Sequence, residues 1–415
     1  MKSWFCISSL LKLKNSGSGI IPVAEILFDT RPKSRREDFF DRDKEIEELK
    51  DIILRKDFAA VLGIRRIGKT SLVRVTLNEL SDYISLSINL GKIGNKKSYP
   101  MDIFSRIFIE GAVDTIKKYT FAGKVSRIIA NRLGVDPSDI LELNWIKIGI
   151  KLREFNTQDI NEVIRALDSI SKDNKKFLVV FIDEIQNIKK VKGFDLGSFL
   201  HDIYEWCDNT VIVVSGSFVG VTEEILNQVE EEKPFFGRKF FRIKLERFNE
   251  ETSKEFLSLG FKEEGIAVDE KVIDEAVKLF DGIPGWLALF GRSYSYAVKH
   301  SHKVDIKVIL KEAAKEVSKD FTRFLKTSNS PTRYAEIILA LSRLGNKGSL
   351  SEIRDVINSL FKEQIENSRL NELLGTLINY GFVIKLGRGK YALPSDLPTR
   401  VELRHSARIW IKKSL

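Results

Sequence analysis

Cysteine is nearly absent, with Cys6 and Cys207 the two in 415 residues. Two thiols cannot build a disulfide framework, which excludes the small secreted scaffolds and points to a reducing, cytoplasmic setting. Histidine is scarce too. His201, His300, His302 and His405 are not grouped with cysteines or carboxylates at zinc spacing, so no structural metal is expected. No apolar run approaches the ~18 residues that cross a bilayer, and no membrane partner is expected. The start carries Lys2 and a short apolar stretch, but Ser8, Ser9, Lys12 and Lys14 interrupt it, and no small-residue cleavage site follows. It reads as a poorly ordered tail rather than a signal peptide. No internal repeat of 20–50 residues is present.

What is there belongs to a folded chain. Hydrophobic residues make up 43% and charged residues 30%, a balance that excludes long disorder. A single core rarely grows beyond about 250–300 residues, so two or three domains are expected. Lys+Arg outnumber Asp+Glu by 68 to 58. The net charge of +10 permits nucleic-acid contact without establishing it.

Short apolar runs alternate with amphipathic stretches. Residues 58–64, 177–182 and 211–214 read as buried strands, and 83–90, 145–152 and 240–245 as further strands. A helix is expected from Asp41, with Ile46, Leu49, Ile52 and Ile53 on one face; others are expected over 69–80, 101–133, 157–172 and 199–207. Residues 15–19 are linker-like and 20–36 extended. This alternation predicts an α/β fold, a parallel sheet covered on both faces. From 249 to 325 the pattern is helical throughout.

Gly63-Ile64-Arg65-Arg66-Ile67-Gly68-Lys69-Thr70 fits G-x-x-x-x-G-K-[ST] between an expected strand and an expected helix. Gly68 lets successive backbone N–H groups converge on phosphate oxygens, and the helix N-terminus adds partial positive charge. Lys69 is placed to reach the β/γ-phosphates, and Thr70 to offer a hydroxyl to Mg²⁺. The whole stretch from Gly63 to Ser71 is the expected nucleotide-binding segment.

The strand over 177–182 ends in Asp183-Glu184. Asp183 can hold Mg²⁺ through water, and Glu184 can act as general base towards the attacking water. After the third strand, Ser215 or Ser217 can bond the water or a phosphate oxygen; the alternative is a plain Ser-Gly-Ser turn. Arg238, just before the next strand, is the candidate arginine finger, within its own chain or on a neighbour, against the alternative of a surface arginine.

In order along the chain, Phe39-Phe40-Asp41-Arg42, the phosphate loop, Phe181-Ile182-Asp183-Glu184, Ser215-Gly216-Ser217, Gly237-Arg238 and Gly282-Ile283-Pro284-Gly285 resemble the archaeal P-loop ATPase family. That family is a branch of the STAND NTPases in the AAA+-like group. The resemblance implies an ATPase using ATP and Mg²⁺, with Arg42 beside the adenine and Pro284 reaching the nucleotide from a helical lid. Among lid residues, Arg292 is the one sensor candidate.

Towards the C-terminus, Ser349 with Glu352 forms a capping-box pattern, and Leu370, Leu373, Leu374, Leu377 and Ile378 follow helical spacing before Gly381. A hairpin carrying Lys385, Arg388 and Lys390 then completes the order of a winged helix-turn-helix. Residues 331–415 hold 14 Lys+Arg and 8 Asp+Glu. The three hairpin cations suit DNA phosphates; packing on the core or on a protein partner is the alternative.

The chain therefore divides into a tail (1–27), an ATPase core (28–248), a helical lid (249–330) and a winged helix (331–415). The expected function is an ATP-hydrolysing switch whose state reaches a partner, or a nucleotide-dependent oligomer, through lid and winged helix. Two alternatives are an ATP-regulated DNA-binding protein resembling origin-recognition initiators and a signalling scaffold with negligible turnover.

Overall fold

Phe58–Leu62 has no polar side chain and is buried along its whole length, which makes it an interior strand. In this computed structural model, residues 27–414 are described except 95, 120–122, 234 and 362–363. The expected tail lies, apart from Leu27, outside the described residues.

Chain order is α1 (Asp43–Leu54), β1 (Phe58–Leu62), α2 (Lys69–Glu79), β2 (Tyr83–Asn89), α3 (Asp102–Lys118), α4 (Gly123–Leu133), α5 (Pro137–Leu141), α6 (Trp145–Lys151), α7 (Thr157–Asp173), β3 (Phe177–Asp183), α8 (Leu196–Trp206), β4 (Thr210–Gly216), α9 (Val219–Glu231) and β5 (Phe240–Lys244). The five strands form one parallel sheet in the order β2-β3-β4-β1-β5. Strand alternation divides the core cleanly. Ala59, Val61, Val179, Phe181, Val211 and Val213 face α1 and α2. Ala60, Leu62, Leu178, Val180, Ile182, Ile212 and Val214 face the larger layer that includes α3, α4, α7, α8 and α9. Each buried Val, Leu, Ile or Phe contributes about 1.5–3 kcal/mol, so both faces must be covered.

Two expectations over the inserted helices need correction. Residues 101–133 form two helices, α3 and α4. Residues 145–152 form α6 and a 3-10 turn rather than a strand. There Ile148 and Leu152, four apart, are buried, whereas Ile146 is 85% exposed. The helical period won over an apparent alternation. This inserted layer covers the β2–β3 side of the sheet, and Thr115 of α3 donates its hydroxyl to Ser85 O of β2 at 2.9 Å.

Four helices follow: α10 (Glu250–Glu263), α11 (Glu270–Phe280), α12 (Pro284–Lys299) and α13 (Ile306–Thr327). Their cluster is completed by Leu27 and Phe28 from the segment before α1. Phe28 packs on Phe256 and Phe261 with ring centroids at 5.8 and 5.0 Å.

The C-terminal unit comprises α14 (Pro331–Arg343), β6 (Lys347–Ser349), α15 (Leu350–Phe361), α16 (Asn367–Asn379), β7 (Ile384–Gly387), β8 (Lys390–Ala392) and α17 (Leu397–Ser414). Its strands form an antiparallel sheet in the order β6-β8-β7. Ser349 and Glu352 make both reciprocal capping contacts, at 2.7 and 3.3 Å. Gly381 adopts φ +72° after α16. Helix α13 serves two clusters: Ile309 and Ala313 pack with α10–α12, while Phe321, Phe324 and Leu325 belong to the C-terminal unit.

Candidate functional site

The loop between β1 and α2 turns on left-handed backbone: φ is +155° at Gly63, +64° at Arg66 and +108° at Gly68. A Cβ on Gly63 would lie 2.8 Å from Ile67 Cγ2 and 3.0 Å from Leu245 O, so no larger residue fits. Such a turn points consecutive N–H groups into a concavity at the α2 N-terminus, a cradle for anions. Lys69 is buried there and donates to Gly63 O (2.9 Å), Ile64 O (3.1 Å) and Ser217 Oγ (2.9 Å). Burial lowers its ammonium pKa to about 8 against the pull of Glu184 and Asp183. Ile67 is buried under the loop, and Ser71 Oγ accepts from Lys33 N at 3.0 Å, tying in the segment before α1.

Parallel pairing brings the ends of β3 and β4 beside the loop. Asp183 ends β3, and its carboxylate accepts from Thr70 Oγ1 at 3.1 Å and from Ser215 Oγ. Burial raises the Asp183 pKa despite those two bonds. Glu184 sits in left-handed conformation (φ +59°, ψ +47°) and accepts from Ser217 Oγ at 2.6 Å and from Gln186 Nε2. Lys69, Ser217 and Glu184 thus form one hydrogen-bonded chain. The hydroxyl of Thr70 and the carboxylate of Asp183 are hard oxygen donors, a set that fits Mg²⁺ completed by phosphate and water. Among the described residues no group of three or more His, Cys, Asp or Glu could hold a metal alone.

A cavity of about 590 Å³ opens over this chain. Its walls include Phe39, Phe40 and Arg42 before α1, the phosphate loop, Phe256 of α10, and Pro284 and Ala288 of α12. Arg42 is buried; its guanidinium donates to Glu45 Oε1 (3.0 Å) and Glu246 O (2.5 Å) and lies 5.0 Å from the Phe248 ring centroid. Pro284, at the first turn of α12, faces the cavity, and Gly285 N donates to Arg66 O at 3.0 Å.

The structure divides the loop arginines between backbone and side-chain roles. Arg65 pairs with Asp320 at 2.8 Å. Arg66 donates Nε to Glu316 Oε2 at 2.8 Å and stacks 4.4 Å from the Trp286 ring centroid. Both line the cavity beside the loop, and their guanidiniums also engage residues of α12 and α13. Arg238 lies apart from the phosphate loop. It precedes β5, whose first residue pairs with Phe58 at the start of β1, the sheet end opposite the phosphate loop, and it ion-pairs with Glu205. Within its own chain it is not at the site. Arg292 pairs with Asp29 at 3.6 Å and is largely exposed.

Sequence reasoning missed Lys190, just after Glu184, and Glu316, Asp320 and Arg323, which gather around Arg65 and Glu184 from distant positions. Burial raises Asp320 to about 6, despite Arg65 and Arg323 nearby, and lowers Lys190 to about 8. No local pattern marks such residues, because tertiary packing alone brings them together.

In the C-terminal unit, Lys385, Arg388 and Lys390 are exposed on the β7–β8 hairpin. The end of α16 is docked instead. A Cβ on Gly220 of α9 would lie 2.6 Å from Asn379 Cα, and Phe218, one residue beyond Ser217, packs 5.0 Å from Tyr380 between ring centroids. On α16, Arg369 bonds Glu372 and Ser330, and Asn371 accepts from Tyr391 Oη at 3.2 Å.

A family described as an ATPase domain predominantly from Archaea matches residues 39–290. Curated proteins yield no match. Among solved structures, the Walker-type ATPase PABY2304 of Pyrococcus abyssi is 27% identical at a TM-score of 0.70, covering 91% of this chain and 100% of that one. The ORC2 protein of Aeropyrum pernix, in ADPNP–ADP complexes, shares the fold at 14% identity and a TM-score of 0.60, covering 94% and 98%.

Proposed function

The chain belongs to the ATPase-domain family found predominantly in Archaea, an ATPase with an AAA+-like parallel-sheet core, and from that premise we propose that it is a nucleotide-driven switch. ATP occupies the cavity between the core (28–248) and a lid formed by α10–α13. The backbone N–H groups from Gly63 to Ser71 and the Lys69 ammonium neutralise the phosphates. Thr70 and Asp183 hold Mg²⁺, which screens charge on the β- and γ-phosphate oxygens when bound. Glu184 accepts the proton of the attacking water, and Ser217, bonded to both Glu184 and Lys69, keeps that carboxylate facing the phosphate. Phe39, Phe256 and Pro284 offer apolar surface to the base.

One observation carries the switch reading: the loop that cradles phosphate is the loop that holds α13. A shift in the loop between ATP and ADP would move Arg65 and Arg66 and, through Asp320 and Glu316, the helix shared by lid and C-terminal unit. The Ser217–Phe218–Tyr380 succession offers a second route. We read the C-terminal unit as a winged helix, on its element order and on the fold shared along most of its length with ORC2. The end of α16 packs on the core, and the exposed hairpin cations are left to meet the phosphates of duplex DNA as partner.

Mg²⁺-dependent ATP turnover tests the site assignment. Glu184→Gln should lower the rate by about 10²–10⁴-fold while nucleotide still binds, and Lys69→Ala should lose both. Wild-type turnover in Glu184→Gln would remove Glu184 from its role as base.

A further inference from the structure

We infer that the exposed face of α17 is a second nucleic-acid backbone surface, separate from the β7–β8 hairpin. Arg400, Arg404, Arg408 and Lys412 recur every fourth residue, so they form a stripe at about 6 Å intervals over about 18 Å that winds by about 40° per step. Arg404, Arg408, Lys412 and the adjoining Lys413 are exposed, and Arg400 is half-buried. None of the five is ion-paired among the described residues. By contrast, Arg242 is interlaced with acids, pairing with Glu223 and Glu230 at 2.9 Å each. The single carboxylate of α17, Glu402, is turned inward and accepts from Ser406 Oγ at 2.6 Å. The outward face therefore carries charge of one sign.

The helix is held rigidly enough to present that charge. Leu403 and Ala407 are fully buried in the C-terminal core, Trp410 and Ile411 pack against it, and Asp396 caps the first turn by accepting from Thr399 N at 3.0 Å. The same burial argues against a membrane surface. The apolar side is already used, leaving only Val401 and Ile409 as exposed large aliphatics, too little to enter an acyl layer. Three of the four stripe residues are arginines, whose planar forks engage phosphate oxygens in pairs. An 18 Å row spans about five base-pair steps of duplex, at about 3.4 Å per step. Duplex phosphate backbone is the polyanion that fits, read without base specificity because a row of charges carries no sequence information.

The test is binding of the full chain to a mixed-sequence duplex of 20 base pairs, followed by fluorescence anisotropy across a salt series. A triple variant with Arg404→Gln, Arg408→Gln and Lys412→Gln should bind about 10–100-fold more weakly at low salt. Its log–log salt slope should be shallower by about 3, at close to one unit per lost phosphate contact. Arg404→Lys with Arg408→Lys should restore the slope. Replacing Lys385, Arg388 and Lys390 by Gln should leave the α17 share of the slope in place. ATP turnover of the α17 variant should equal that of wild type, so failure here is distinct from failure of the nucleotide site. An unchanged slope in the α17 triple variant overturns the inference. So does wild-type protein that binds phosphatidylserine vesicles but no duplex at low salt.

Discussion

Burial sets the ionisation of the phosphate-loop lysine. Because the ammonium of Lys69 is lowered to about 8, it is half protonated at pH 8 in the ligand-free chain. Triphosphate favours the charged form, so binding at pH 8 should take up about half a proton, and affinity should fall as pH rises from 8 towards 10. For folding the sign is reversed: the native state binds fewer protons between about 8 and 10.5, and this group adds stability as pH rises through that window. Titration calorimetry in two buffers of different ionisation enthalpy measures the uptake. Proton release, or uptake persisting in Lys69→Ala, would contradict the assignment. Lys69 and Thr70 were readable because the phosphate loop fixes their spacing, and Asp183 and Glu184 because they end an apolar strand. The place of Arg238 was not legible, because an arginine near a strand carries no information about which end of the sheet it occupies. Asp320 was invisible because it meets Arg65 from about 250 residues away.

Helix α13 touches the phosphate loop through Asp320 and Glu316 and packs into the C-terminal unit, and Asp320 is where the proposed relay is testable. Its pKa, raised to about 6 by burial, means desolvation outweighs attraction to Arg65 and Arg323, with Glu184 and Glu316 adding repulsion. Asp320→Asn should therefore change unfolding free energy at pH 7 by no more than about 1 kcal/mol. Relative to that variant, wild type should gain stability as pH falls through 6 towards 4, since its native state holds the proton more tightly than the unfolded chain. The ion pair acts in positioning. Hydrogen exchange over residues 313–325 should differ between ATP and ADP states in wild type, and Asp320→Asn should erase the difference. An undiminished difference would place the coupling elsewhere. At this scale the strong strands and capped helices were readable, whereas α6 imitated a strand and α17 went unseen behind a hairpin that resembled an ending.

Across the whole molecule, the parallel α/β class followed from alternating apolar runs, but strand order did not. Which strand lies beside β1 depends on how crossovers cover the sheet, and no local residue encodes it. Nor did the sequence reveal that residues before α1 complete the core of α10–α12. Phe28→Ala should cost about 3–5 kcal/mol, read by calorimetry as earlier unfolding of the helical unit. It should also shrink the thermal shift given by ATP, because the same segment walls the cavity. A transition unchanged from wild type would mean that the segment is only draped over the surface. The contact between Leu27 N and Glu263 joins residues 236 apart. A ribosome adding about 5–20 residues per second needs about 12–47 s to bridge that interval. For that time Phe28, Phe39 and Phe40 emerge without the helices that will cover them, so the nascent chain must be shielded long before it can hold a nucleotide.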